Sequence, residues 1–240
     1  MLLAYDVFDI SVMDVDRMNT SFQSRYQYID IDYPGLKRID NHRIPMYIID
    51  NFLADDLCDL LIKQTDDYMV PAPVVGSGNG IVNQNRTSST AYLRREDMPT
   101  ITRAICKLLN KELNHLELPQ VGRYQANQEY KPHYDAFQLD TNDGKRFAEN
   151  GGQRIVTVLI YLNTVLDGGE TSFPLLNIQI KPIKGKALIF FPSTLDGILD
   201  QNALHAALPA VSGNDKYVCQ IWIRQDSFNG IHNVELVHKI

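Results

Sequence analysis

Basic charge is scarce in this chain. Lys and Arg number 23 against 29 Asp and Glu, for a net charge of −6. A broad nucleic-acid face needs clustered Lys and Arg, so the balance argues against one. No apolar run approaches the length that spans a bilayer, so no membrane partner is expected. The apolar start Met1-Leu2-Leu3-Ala4-Tyr5 is interrupted by Asp6 and Asp9 and has no basic flank. That pattern is not a secretory signal, and a cytoplasmic protein is expected. Cysteine is sparse: Cys58, Cys106 and Cys219 lie far apart among apolar neighbours. They read as buried reduced thiols, without a disulfide framework.

What remains is an ordinary globular composition over 240 residues, enough for one sizeable domain. Residues 1–43 are polar and aperiodic, with Tyr26, Tyr28 and Tyr33 scattered through them. They read as an extension that packs on the domain or meets a partner. Ile44–Asp50 reads as a strand. Asp55 and Asp56 open a helix with Leu57, Leu60 and Leu61 on one face. A second helix carries Ile101, Ala104, Ile105, Leu108 and Leu109, with Pro99 in its first turn. Between them, Gly76, Gly78 and Gly80 mark a mobile loop. After Leu118 the pattern changes to strands. Arg154–Leu162 is nearly continuously apolar, so both of its faces are expected to be covered. Helices followed by many short strands predict an α+β fold. We expect a double-stranded β-helix (jelly roll) core with helices packed on one sheet.

The chemistry centres on His133-Tyr134-Asp135. In an extended chain, residues two apart share a face. One imidazole and one carboxylate then make two thirds of a 2-His-1-carboxylate ferrous site. His205 follows the apolar strand Ala187–Phe191 and stands as a candidate third ligand. Lys216 opens the last long strand, in which Lys216, Val218, Gln220, Trp222 and Arg224 share one face. A dicarboxylate 2-oxo acid at such an iron would leave the site net negative. A buried cation is then needed for the distal carboxylate, and Lys216 is placed by chain order to supply it.

The sequence resembles the 2-oxoglutarate- and iron(II)-dependent dioxygenases of the prolyl 4-hydroxylase family, from about Pro45 to Gln225. The likeness rests on Asp50-Asn51-Phe52-Leu53, Arg86-Thr87-Ser88, Arg123-Tyr124 and Tyr130 leading to the His133 triplet. It continues through Gly151-Gly152-Gln153-Arg154, Tyr161-Leu162-Asn163, Gly168-Gly169-Glu170-Thr171 and Phe173-Pro174. It ends with His205-Ala206, Lys216 and Trp222-Ile223-Arg224. Their joint order is more specific than any one of them.

The resemblance implies a dioxygenase domain over 44–226, preceded by the extension 1–43 and followed by a tail, 227–240. It implies His133, Asp135 and His205 as catalytic iron ligands. Lys216 would bind 2-oxoglutarate with help from Tyr124 and Thr171. Tyr130, Arg154 and Trp222 would face the substrate, with Arg86 and Ser88 in a loop that closes over it. Iron(II), 2-oxoglutarate and dioxygen are implied, with ascorbate as an optional reductant. The implied partner is a proline-containing peptide or protein, hydroxylated at C4 with release of succinate and carbon dioxide. Two rival readings stand beside it: a related oxygenase acting on another side chain, nucleobase or small molecule, and a non-catalytic jelly-roll module that binds peptides. Oligomeric state is left open.

Two departures from the family pattern bear on the site. The step from His205 to Lys216 is eleven positions where ten is usual. An extra residue in the turn Ser212–Asp215 leaves strand register intact, whereas one in a strand turns Lys216 to the wrong face. Asn127 also stands where glycine is usual.

Overall fold

The long apolar run forms the centre of a sheet, and the helices cover one face of it. The structure is a computed structural model that describes residues 24–39, 41–74, 82–211 and 215–229. Its strands are β1 (Leu36–Arg38), β2 (Met46–Ile49), β3 (Val70–Pro71), β4 (Ser89–Tyr92), β5 (Gln120–Tyr124), β6 (Tyr130–His133), β7 (Arg154–Tyr161), β8 (Thr171–Phe173), β9 (Ile178–Ile180), β10 (Ala187–Phe190), β11 (His205–Ala207) and β12 (Lys216–Arg224). The helices are α1 (Asp55–Thr65), α2 (Pro99–Leu109) and α3 (Asn142–Ala148). The strands make one sheet in the order β1-β2-β10-β7-β12-β5-β4-β3 and a smaller one in the order β6-β11-β8-β9. All the named pairings are antiparallel. The result is an antiparallel β-sandwich with α1 and α2 on the outer face of the larger sheet.

The period of two decides which side chain goes where. Along β7, Val156, Val158 and Ile160 join a core with Cys58 and Leu61 of α1 and Ile101, Ile105 and Leu108 of α2. Leu159 and Tyr161 point the other way, into a second core with Phe173, Phe190 and Val218. The two-sided burial expected of this run therefore has two distinct partners. Each fully buried Val, Leu or Ile contributes about 1.5–3 kcal/mol, so the large sheet is held from both faces. β12 divides in the same way: Cys219, Ile221 and Ile223 face the helices, and Val218 faces inward.

Part of the polar N-terminal segment belongs to this architecture. β1 pairs with β2, placing Leu36 opposite Ile49. Tyr26 and Ile29 are buried in the helix-side core, and the Asp30 amide donates to Leu108 O at 2.8 Å. The glycine loop expected to be mobile lies outside the described residues at 75–81, as do Ser212, Gly213 and Asn214.

The turn from β5 to β6 accommodates the departure at Asn127. Asn127 has φ 66°, in the left-handed region. Asparagine tolerates that conformation better than other non-glycine residues. Asn127→Ala is expected to destabilise the fold by about 1–2 kcal/mol, and Asn127→Gly to be close to neutral. Urea midpoints of the two variants check this; equal midpoints would mean that the turn is not left-handed in solution.

Candidate active site

β6 and β11 run antiparallel with His133 directly opposite His205. Asp135 lies just past the end of β6, so the chain bend after the strand completes its approach. The ligating atoms of the three residues all lie within 4.8 Å of one another. Each imidazole is held by its Nδ1, His133 on Lys131 O at 2.8 Å and His205 on Ala203 O at 2.9 Å. A carbonyl can only accept, so both Nδ1 atoms carry a proton and each ring presents Nε2 as its ligating atom. Those Nε2 atoms face Asp135, at 3.8 Å from His133 and 3.5 Å from His205. Thr157 Oγ1 donates to Asp135 Oδ2 at 2.7 Å, fixing the carboxylate from β7.

The charge states suit a metal. Burial pushes the His133 imidazole well below its usual range, with His205 adding to the effect. Burial would raise the Asp135 carboxyl, but His205, His133 and Arg154 together hold it below its usual value. Two imidazoles and one carboxylate with a single focus fit a divalent ion of the ferrous type, with positions left open for other ligands.

Lys216 enters the same cavity from β12. It pairs in register with Tyr124 of β5 and is 1% exposed. Its Nζ lies 5.3 Å from the Tyr124 ring centroid and 5.8 Å from that of Tyr161. Among the described residues it has neither a hydrogen bond nor a salt bridge. Burial pushes the ammonium down to about 7, with Glu170 pulling partly back. Thr171 lines the cavity too and accepts from the Tyr161 hydroxyl at 2.8 Å. A buried cation without a counter-charge is costly, and the carboxylate of a ligand would relieve it. The eleven-position step has thus left Lys216 on the inner face.

Comparison with known proteins agrees with this arrangement. Residues 119–224 match the 2OG-Fe(II) oxygenase superfamily. Prolyl 4-hydroxylase 2 of Arabidopsis thaliana is 34% identical over 213 residues, covering 77% of this chain and 69% of the relative. The chain belongs to the prolyl 4-hydroxylase family. Probable prolyl 4-hydroxylase 3 of the same plant is 35% identical over 192 residues, 70% of this chain; the match spans 65% of that relative's length. The crystal structure of a viral collagen prolyl hydroxylase from Paramecium Bursaria Chlorella virus-1, a 2OG complex, is 29% identical with a TM-score of 0.59. That match covers 75% of this chain and 95% of the viral one.

Beside the three clustered donors runs an open groove. Tyr130 stacks on His133, with centroids 3.4 Å apart and planes at 10°. The Arg86 guanidinium lies 5.1 Å over the Tyr130 ring. Arg154 grips Glu117 with two hydrogen bonds, at 2.7 and 2.8 Å, and lies 3.8 Å over Trp222. Arg86, Tyr130, Arg154 and Trp222 therefore share one groove with Asp135.

Arg86 and Ser88 lie in the segment that leads into β4. Both are buried on the way into β4, where Arg86 Nε donates to Ser88 Oγ at 3.1 Å and Nη2 to Gln120 Oε1 at 3.0 Å. Arg86 faces the groove as part of its fixed wall, and Ser88 braces it from behind.

Several neighbours escaped the sequence reading. Thr157 and Tyr161 share a face of β7, so alternation from Leu159 could have found them. Glu117 is shared by Arg154 and Arg224, the latter at 3.1 Å. Its only local trace is an acid between Leu116 and Leu118.

Proposed function

We propose that this chain is an iron(II)- and 2-oxoglutarate-dependent dioxygenase that hydroxylates peptidyl proline at C4. One observation carries the reading: the focus of His133, Asp135 and His205 shares a cavity with the buried Lys216, which has no ion pair among the described residues. When bound, ferrous iron would supply the activation of dioxygen coupled to oxidative decarboxylation of 2-oxoglutarate to succinate and carbon dioxide.

The protein's part is binding and orientation. His133, Asp135 and His205 hold the metal. Lys216 pairs with the distal carboxylate of 2-oxoglutarate, and the Thr171 and Tyr124 hydroxyls help to orient it. Phe190 and Leu159 line the same cavity and keep it poor in water. Tyr130, Trp222, Arg154 and Arg86 receive the peptide. Aromatic faces suit an extended proline-rich segment, which is preformed as polyproline II. The scaffold is a jelly roll over 44–226, with 1–43 as an extension and 227–240 as a tail.

The test is incubation with ferrous iron, 2-oxoglutarate and ascorbate on proline peptides. Succinate release should accompany the gain of one oxygen atom on proline. Turnover with a small molecule and with no peptide would remove the peptidyl part. Failure to bind iron or 2-oxoglutarate would favour the peptide-binding module.

Thr157 offers a graded check on the ligand set. Partners that orient metal ligands contribute about 10–100-fold in affinity or activity. Thr157→Val keeps the shape and removes the bond to Asp135. Iron affinity is expected to fall about 10-fold, measured by anaerobic titration.

A further inference from the structure

The distal ligand His205 is not carried by a strong strand. β11 has only three residues, and the turn of 3₁₀-helix Gln201–Ala203 precedes it directly. That turn sets the ligand, because Ala203 O receives the Nδ1 proton of His205 at 2.9 Å. Asp200 builds the turn. Its Oδ1 accepts from the Asn202 amide and from Asn202 Nδ2, both at 2.9 Å, and its carbonyl accepts from the Ala203 amide at 3.0 Å.

The other oxygen of Asp200 is held from a distant part of the chain. Tyr26 Oη donates to Asp200 Oδ2 at 2.6 Å, across 174 positions of sequence. Tyr26 is buried, with its ring edge-on to Phe191 at 6.0 Å. The segment around it is anchored at separate points. Leu195 N donates to Arg25 O at 2.8 Å, and Gln27 Nε2 donates to Leu109 O at 2.8 Å. A buried phenol bonded to a carboxylate is a strong fixed contact, because the charge-assisted bond exceeds a neutral one.

We propose that residues 24–30 form a strap whose Tyr26, through Asp200 and the Gln201–Ala203 turn, sets the position of His205. Tyr26 and Asp200 are then positioning residues for the metal, on a segment that lies outside the match to the oxygenase superfamily. The inference rests on the reading of His205 as a metal ligand. Such a relay acts on metal retention, since His205 can reach the ion only as its backbone turn allows.

The experiment titrates ferrous iron anaerobically into the wild type, Tyr26→Phe, Asp200→Ala and Gln27→Ala, with metal-free melting curves for each. Tyr26→Phe keeps the ring and loses the bond; its iron affinity should fall about 3–10-fold, and that of Asp200→Ala about 10–100-fold. Saturating iron should restore turnover in Tyr26→Phe. Gln27→Ala loosens the same strap at α2, away from His205, and should lower the melting temperature while leaving iron affinity unchanged. Wild-type affinity in Tyr26→Phe overturns the strap even if Asp200→Ala does not fold. So does a Gln27→Ala variant that weakens iron as much as Tyr26→Phe. If the wild type binds no iron, the ligand assignment fails and the strap with it. If the wild type binds iron and the variants match it, the strap alone fails.

Discussion

Asp135→Ala is expected to abolish turnover and to weaken iron binding by well over about 100-fold. That bound follows because loss of a group merely orienting a ligand already costs about 10–100-fold. Asp135 is the one anion among the three donors. Without it, two imidazoles face a doubly charged ion with no anion among the donors. His205→Ala should act in the same direction, leaving donors on one strand only. Anaerobic iron titration with succinate release measures both effects. Wild-type iron affinity in Asp135→Ala would sink the ligand assignment. The pH dependence has a definite sign. His133 is held well below its usual range by burial, so little proton competition for its Nε2 is expected near neutral pH. Iron affinity should then fall only on further acidification, as His133 and the Asp135 carboxylate take up protons.

Much of this site was legible because strand periodicity is a local signal. His133 and Asp135 are close in sequence, and the shared face of β12 carries Lys216, Val218 and Gln220 to the cavity and Trp222 to the groove, as alternation requires. The strand reading of the triplet was only partly sufficient, since Asp135 lies beyond β6 and a bend aims it. What stayed hidden depends on partners far apart. Glu117 matters because Arg154 and Arg224 converge on it from β7 and β12. Nothing in its own neighbourhood encodes that. Tyr26 and Ile29 enter a core without any helical or strand period, because isolated side chains and backbone bonds hold them. α3 also passed unread. It is one short stretch begun by Thr141, whose hydroxyl accepts from Gly144 N, and it lacks an apolar stripe. Arg86 and Ser88 sit close after a glycine-rich run, and the burial of Arg86, through its bond to Gln120 of β5, has no local sequence signal.

Lys216→Met should separate binding from stability. Truncating one partner of a buried charge pair costs about 2–5 kcal/mol, roughly thirty-fold or more in affinity. The KM for 2-oxoglutarate is expected to rise by that factor, with iron affinity unchanged. The ligand-free protein should lose nothing or gain stability, because Lys216 is buried with no ion pair or hydrogen bond among the described residues. An exposed strand-end lysine would do neither. The pH dependence follows from the position of this group, pushed down to about 7 from a usual 10.5. Across that window the unfolded chain holds the proton and the ligand-free fold does not. The ligand-free fold therefore gains stability from this group as pH rises through the window and carries the full burial penalty below about 7. Binding of a carboxylate reverses the preference and pulls the proton back on. The affinity for 2-oxoglutarate should therefore decline above about pH 7, by up to about tenfold per unit, with proton uptake visible by calorimetry in buffers of different ionisation enthalpy. Lys216→Met should lose both the pH dependence and the proton uptake. Retention of either would mean that some other cation receives the distal carboxylate.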